Sequence, residues 1–512
     1  MIAISDAKRH IGNLLGGAGF SILNLSIGVV TGLVLTPFLV TSLGTRYYGI
    51  NEMITTFVGC FMLLDFGVDS AVSRFFTLHY ARNERSECIA ISNTAFFIFL
   101  LLGFLGAVGI ISSAVVMYFL YPSMSDRLLF FHILLINGAA FGLNFSTKAL
   151  VGVVNGTMNQ HLTGSRDVFM RLLWTVLTFV VVYCGGKLYA ISFVNLGIVI
   201  LNMFIVWRLA KFVFPEFVIS WMLFKVSLVR KLFSFAFSTF LVFIGDTVAS
   251  RGGIFVIGLL LSIELVTPFT AVSVKLCEMY SGLMTTICGG WLMSWLTYLH
   301  ANKEKELLDD SMQVAYKVST YSSSFMYFGI VVWSYDFILR WMGAGMLVAY
   351  PCLLIVAAEH WIIFAHSPNT KYLFAVAKHH LLAYCNLVGA IVQIVLMIFF
   401  VNLGWGLTGV ALGYLLASVP VRGLIIPIFV CRLRDVNFFK YYLEIISYMA
   451  IAAAACVIPY IITIKLIAPS YPRLFLIGFL SLITYAPVIF LIGFNKNEKQ
   501  KIIGLITSRI KR

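Results

Sequence analysis

An all-α, polytopic membrane protein of about fourteen transmembrane helices is predicted by three observations. Apolar runs long enough to cross a bilayer recur from Gly17 to Phe494, basic residues alternate between successive connections, and charge is scarce. A helix crosses the hydrocarbon core with roughly 20 apolar residues. The runs begin near Gly17, Tyr47, Ile89, Leu128, Leu172, Ile191 and Leu232, and again near Val266, Gln313, Leu347, Leu381, Leu407, Tyr441 and Leu474. With the N-terminus cytoplasmic, twenty-five of the 36 Lys and Arg fall on the inner side and five inside spans. Only Arg46, Arg127, Lys187, Arg340, Lys465 and Arg473 lie outside. That asymmetry places both termini in the cytoplasm. A chain of 512 residues with 61% hydrophobic and 11% charged residues is no soluble globule.

The chain is divided accordingly. Residues 1–16 form a cytoplasmic N-terminal segment and 17–208 a first six-helix bundle. A basic, aromatic linker with Pro215 near its middle, 209–231, is expected on the cytoplasmic surface as an amphipathic piece. A second six-helix bundle covers 232–434, two extra spans cover 435–495, and a basic tail covers 496–512. The first apolar run is long, lacks a small-residue cleavage site and is followed by further spans, so it is expected to be an uncleaved anchor.

The bundles are paired by an internal repeat. The stretch RFFTLHYARNERSE from Arg74 resembles SWLTYLHANKEKE from Ser294, Thr147-Lys148 returns as Thr370-Lys371, and Trp207-Arg208 as Cys431-Arg432. The offset is about 220 residues each time. Six spans per repeat give both copies the same orientation, a parallel repeat about an axis along the membrane normal. Gly67, Gly252-Gly253, Gly289-Gly290 and Pro368 either interrupt helices or serve close packing.

The net charge of +15 reflects this topology, because the basic residues are scattered over short loops and form no nucleic-acid docking surface. The nine cysteines contain no C-x-x-C pair; Cys60, Cys184, Cys288 and Cys456 sit in apolar runs and read as small hydrophobes. No catalytic constellation, nucleotide cradle, metal motif or cofactor fingerprint occurs, and His379-His380 reads as a solvated basic patch.

Ten ionisable residues fall inside spans: Asp65, Asp69, Arg74, Lys148, Asp246, Arg251, Lys275, Glu278, Glu359 and Arg422. In hydrocarbon such groups are costly and face a cavity or one another. Lys275, Glu278 and Glu359 are expected near the midplane, with Asp65 deep in the inner half; Arg74 is near enough the surface to snorkel. Lys275 and Glu278, three apart, either pair with each other or meet substrate. Asp65 and Asp69, four apart, either hold a cation or a shared proton, or cap the break at Gly67. Asp246 and Arg251, five apart, cannot pair on a regular helix. The ten charges balance, five against five, so they do not by themselves select an anionic substrate.

The patterns LVLTPFLVTSLGTRYYGINE and LLDFGVDSAVSRFF in the first two spans, GDTVASRGGIFVIGLLL in the seventh, FILRWMG after the ninth and HSPNTKYLFAVAKHH in the tenth resemble those of one family. They are similar to the Wzx-type polysaccharide-biosynthesis flippases of the multidrug/oligosaccharidyl-lipid/polysaccharide (MOP) exporter superfamily. The resemblance implies a MATE-like V-shaped pair of bundles in the bacterial inner membrane. It implies flipping of an undecaprenyl-pyrophosphate-linked oligosaccharide from the inner to the outer leaflet for O-antigen, capsule or exopolysaccharide synthesis. It further implies H+ or Na+ coupling, contact with membrane lipids, and polymerase and chain-length proteins as partners. Carried over residue by residue, Lys275, Arg251, Lys148 and Arg422 are candidate phosphate or glycan contacts, and Asp65, Asp246, Glu359, Glu278 and Asp69 candidates for ion coupling. The alternatives are a MATE-like cation-coupled drug or metabolite exporter and a polytopic polysaccharide polymerase or ligase, the latter disfavoured by short external loops.

Overall fold

The computed structural model describes residues 2–120, 126–287, 290–376, 378, 380–464, 471–496, 498 and 499. Cys288, Gly289, His379, Lys465 and the tail residues Lys501, Arg509, Lys511 and Arg512 lie outside the described residues. Among the described residues the regular structure is helical, and it divides into two compact units, Met1–Gly258 and Leu259–Arg512.

In the first unit, α1 (Ile2–Cys60) carries the first two expected spans as one run that kinks at Gly44, where φ 81° requires a residue without a Cβ. A 3-10 turn, Phe61–Asp65, follows, and Phe66 and Gly67 in left-handed conformations (φ 51° and 74°) reset the axis before α2 (Val68–Ala81). The break expected at Gly67 is therefore present. Next come α3 (Arg85–Leu120) and α4 (Arg127–Gly156). Their backbones approach so closely that a Cβ on Gly103 would stand 2.8 Å from the Gly142 carbonyl oxygen. Small residues at such crossings allow close van der Waals contact, which drives helix association in lipid. The unit is completed by α5 (Gln160–Tyr183), α6 (Leu188–Val213) and α7 (Val226–Leu260).

One expectation is corrected here, and one open choice is resolved. The fifth span begins at Gln160, well before Leu172, so Arg166 and Arg171 belong to α5 and not to a loop. Their charges depress local hydropathy although the helix continues through them. Gly252 and Gly253 do not interrupt α7 and are buried within it, the packing role.

The connection from α6 to α7 is short. Phe214 and Phe217 are fully buried, Ser220 N–H donates to Asn93 Oδ1 (2.7 Å), and Lys225 N–H donates to Thr94 Oγ1 (3.1 Å). Trp221 and Met222 on its single 3-10 turn are exposed, which gives the segment an apolar outer edge. Phe66 packs on Phe233 and Phe240, and Phe57 on Phe255, which joins α7 to the first unit.

The second unit opens with α8 (Ile263–Pro268), capped by the Ser262 hydroxyl accepting from Leu265 N–H. A π-helical turn, Phe269–Val274, leads into α9 (Lys275–Ile287), and α10 (Gly290–Ala301) and α11 (Lys305–Trp341) follow. The tenth span is broken at His366 into α12 (Tyr350–Ala365) and α13 (Ser367–Ala375), with Pro368 in the first turn of the second piece. Then come α14 (His380–Phe400) and α15 (Gly406–Val419), and a second π-helical turn, Pro420–Ile425, joins α15 to α16 (Ile426–Arg434). The last spans, α17 (Phe438–Ile464) and α18 (Tyr471–Gly493), pack on α11: Tyr485 Oη donates to the Tyr321 carbonyl, and Lys317 of α11 pairs with Glu498 at 2.8 Å.

The fourteen expected spans are each met by a helix or by helical pieces in series. Eight of the described stretches are long and apolar enough to cross a membrane on their own, including Arg85–Val116, Leu188–Val213 and Ala344–Ala365. The two sequence stretches paired by the repeat end in the same turn. Glu84 N–H bonds to the His79 carbonyl and Arg85 N–H to that of Asn83, as Glu304 does to Leu299 and Lys305 to Lys303. Asn83 and Lys303 share a left-handed φ of 57° and 58°.

Candidate functional site

The first cluster forms where the second span breaks. Ending the 3-10 turn at Phe66 and Gly67 leaves Asp65 at a helix end, where its Oδ1 accepts from Asp69 N–H (3.3 Å) and so caps α2. Its Oδ2 accepts from Lys148 Nζ of α4 at 2.8 Å. Both side chains are one-fifth exposed, and the ammonium also lies 4.8 Å from the Phe145 ring centre. Asp69 Oδ1 is buried without a hydrogen-bond partner. Two acidic candidates and one basic candidate are thus brought together, with Lys148 neutralising Asp65.

Lys148 also lines a polar cavity of about 450 Å3 inside the first unit, bounded by α1, α4, α5 and α6. Its further charges are Arg166, Asp167 and Arg171, and four carboxamides, Asn24, Asn144, Asn195 and Asn202, complete its polar wall. Arg166 donates through Nε and Nη2 to Asp167 Oδ1 (3.1 and 2.5 Å), while its Nη1 is buried and unpartnered. Asn24 Oδ1 is likewise buried and unpartnered. Arg171 is seated against α1 because Gly28 has no side chain; a Cβ there would lie 2.3 Å from Arg171 Nη1. Behind the cavity Asn195 Nδ2 donates to Asn137 Oδ1, and Asn137 Nδ2 to Ser192 Oγ (3.3 Å), which fixes the amide wall.

Asp246 and Arg251 are half-buried on α7. Arg251 is within electrostatic reach of Cys60. The structure does not bring either residue into the Lys148 cavity.

In the second unit, Glu359 of α12 is 6% exposed, and its Oε2 lies 2.5 Å from Nδ1 of His360. His360 Nδ1 also faces the Val356 carbonyl oxygen at 2.9 Å. Arg422, in the π-helical turn after α15, donates from Nη2 to the buried Asn386 of α14 at 3.5 Å and reaches His360 electrostatically. Such turns insert one extra residue per turn and re-aim a side chain, and they recur at functional sites. Lys275 begins α9 half-buried, and Glu278 is exposed on its next turn.

The residues missed by sequence reasoning are neutral or misplaced. Asn24, Asn144, Asn195, Asn202 and Asn386 carry no charge and escaped a search for ionisable groups. Arg166 and Arg171 were counted with the cytoplasmic connection. The signal that finds them is the spacing Arg166, Met170, Arg171, which continues a helix whose one face lines the cavity.

No family model matches the chain, and no curated protein matches it. Solved structures do. The chain is similar to an inward-facing multidrug resistance MATE family transporter of the MOP superfamily (TM-score 0.65, 12% identity, 81% of this chain and 99% of that one). It is similar to the lipid II flippase MurJ in an inward closed conformation (TM-score 0.67, 14% identity, 92% and 98%). It is also similar to the eukaryotic MATE transporter AtDTX14 (TM-score 0.59, 13% identity, 87% and 99%). The chain therefore has the polytopic, all-helical membrane fold that MATE transporters and MurJ share.

Proposed function

We propose that this protein flips an undecaprenyl-pyrophosphate-linked oligosaccharide from the inner to the outer leaflet of the bacterial cytoplasmic membrane, for O-antigen, capsule or exopolysaccharide synthesis. In this reading it works by ion-coupled alternating access of two repeat-related bundles, 17–208 and 232–434, and both termini are cytoplasmic. The observation that carries the reading is the cationic, carboxamide-walled cavity inside a membrane unit. Polar walls at membrane depth are expensive unless polar cargo uses them. Their net positive sign suits an anionic headgroup and opposes the organic cations that a cation exporter would take. The likeness to a lipid flippase over 92% of this chain adds support.

Coupling follows from the ion pair. Lys148 holds Asp65 at 2.8 Å, so a proton or Na+ arriving at the Asp65 and Asp69 carboxylates competes with the ammonium and frees it for cargo. Glu359, Glu278 and Asp246 are the remaining carboxylates assigned to coupling. Lys275, Arg251 and Arg422 are the remaining cations assigned to the glycan or its phosphates.

The test is deletion of the gene followed by extraction of undecaprenyl-linked glycans. Complete repeat units are expected to accumulate unpolymerised and shielded from external lectin, and to clear with wild type but not with Lys148→Ala. Unchanged glycan lipids would sink the reading in favour of small-molecule export.

A further inference from the structure

We infer that the connection from α6 to α7 is an interaction surface for an anionic membrane leaflet, with its apolar edge of Val218, Ile219, Trp221 and Met222 immersed where headgroups meet acyl chains. The inference depends on the membrane fold and not on the cargo. All four residues are exposed, Trp221 by 67% and Met222 by 94%. Left in water such an edge is costly, because apolar surface gains free energy by leaving water. The opposite side of the connection is already in use: Phe214 and Phe217 are fully buried, and the backbone at Ser220 and Lys225 is bound to α3.

The level of the connection is given by α3. Asn93 and Thr94, the acceptors of those two bonds, are the last polar residues before an apolar run from Ala95 to Ile111. At about 1.5 Å per residue that run spans most of the roughly 30 Å hydrocarbon core. The connection is therefore fastened where α3 enters hydrocarbon. Trp221 stands on the first turn of the run, its ring centre 4.7 Å from that of Phe97. From Phe97 the exposed residues Leu101, Phe104 and Val108 continue along one face of α3 at helical spacing. The apolar edge is thus continuous with a face that lipid covers in a polytopic fold, and Trp is the residue that favours the boundary between the two media. Charge selects the lipid. Residues 208–231 carry Arg208, Lys211, Lys225, Arg230 and Lys231 against Glu216. Lys211 donates to the Phe217 carbonyl and Lys225 pairs with Glu87, which leaves the exposed Arg208 and Arg230 for headgroup phosphates. A basic rim beside an apolar edge is the pattern of segments that lie on anionic leaflets.

The test uses the full-length protein in proteoliposomes and the difference in fluorescence between wild type and Trp221→Phe, which isolates this indole among the nine tryptophans. The quenchers are lipids with a nitroxide on the headgroup, near the top of the acyl chain or near its end, and iodide in the water on both sides. Quenching is expected to be strongest from the top of the chain and weak from iodide. Met222→Trp added to Trp221→Phe should restore it, because that position is the most open of the edge. At equal mole fraction, nitroxide-labelled phosphatidylglycerol is expected to quench about twofold more than labelled phosphatidylcholine, and Arg208→Gln with Arg230→Gln, or high salt, should remove the excess. Quenching by iodide with none from the chain-labelled lipids would overturn the inference and leave the edge to a protein partner in the water phase. Equal quenching by the two labelled lipids, or an excess that survives both the arginine changes and salt, would overturn the anionic assignment.

Discussion

Two polar networks, one in each unit, are built from similar residues and differ in how completely they are satisfied. In the second unit Arg434 donates to Asp309 (2.6 and 3.1 Å), Tyr316 Oη donates to Asn369 Oδ1 (2.5 Å), and Asn369 Nδ2 donates to Tyr441 Oη (2.8 Å). His366 closes the set on Tyr441 Oη at 2.6 Å. The cavity of the first unit has cations and carboxamides too, yet Arg166 Nη1 and Asn24 Oδ1 are left over. A closed network with no orphaned atoms fixes the break between α12 and α13, whereas the network of the first unit leaves two buried atoms without a partner. Satisfaction, more than charge, distinguishes the two networks.

The sharpest way to break that contrast is Arg434→Met. The residue is 9% exposed, and its loss removes charged hydrogen bonds to Asp309 and a weaker one to Tyr316. Asp309 is partly open to water, so the expected loss is about 2 kcal/mol of stability, read as a lowered unfolding temperature in detergent. Transport per folded molecule should be unchanged. A stable variant with abolished transport would make the closed network part of the machinery.

Next is the Lys148–Asp65 pair. Lys148→Met strands a partly buried carboxylate and should cost about 1–2 kcal/mol, whereas adding Asp65→Asn should recover much of it. Transport should stay lost in the double variant if Lys148 meets cargo. Recovery of transport with stability would reduce the pair to a structural staple.

A comparable effect is expected at the helix break. Ala at Gly67 would have to hold φ 74°, a left-handed conformation that costs an L-residue about 1–2 kcal/mol. Thermal unfolding reads this directly. No loss of stability would mean that the 3-10 turn and α2 relax into a continuous helix, which would also move Asp65 away from Lys148 and change transport.

The sequence made the spans and the two breaks legible, because apolar length and the residues Gly67 and Pro368 act locally. The start of α5 was not legible: Arg166, Asp167 and Arg171 look like a loop to any reading of hydropathy, since a helix lining a polar cavity loses the apolar signal that marks a span. The partner of Asp65 lies 83 residues away, and no spacing rule connects them. Lys275 and Glu278, three residues apart on one helix, differ in exposure, the first half-buried and the second exposed.

The smallest predicted effect concerns how the α6–α7 connection is held. Lys225 pairs with Glu87 at 2.7 Å, but both side chains are largely open to water, 46% and 37% exposed. Exposed pairs contribute about 0–1 kcal/mol, so Lys225→Ala should shift stability by less than about 0.5 kcal/mol. Asn93→Ala removes the acceptor of Ser220 N–H and should cost about 1 kcal/mol. Hydrogen exchange at residues 214–225 distinguishes the two: faster exchange in Asn93→Ala alone means that side-chain caps on the backbone pin the connection to α3. Equal acceleration in Lys225→Ala would instead make the surface ion pair the fastening. It would also mean that salt loosens the connection, because an exposed pair is screened where a buried amide bond is not.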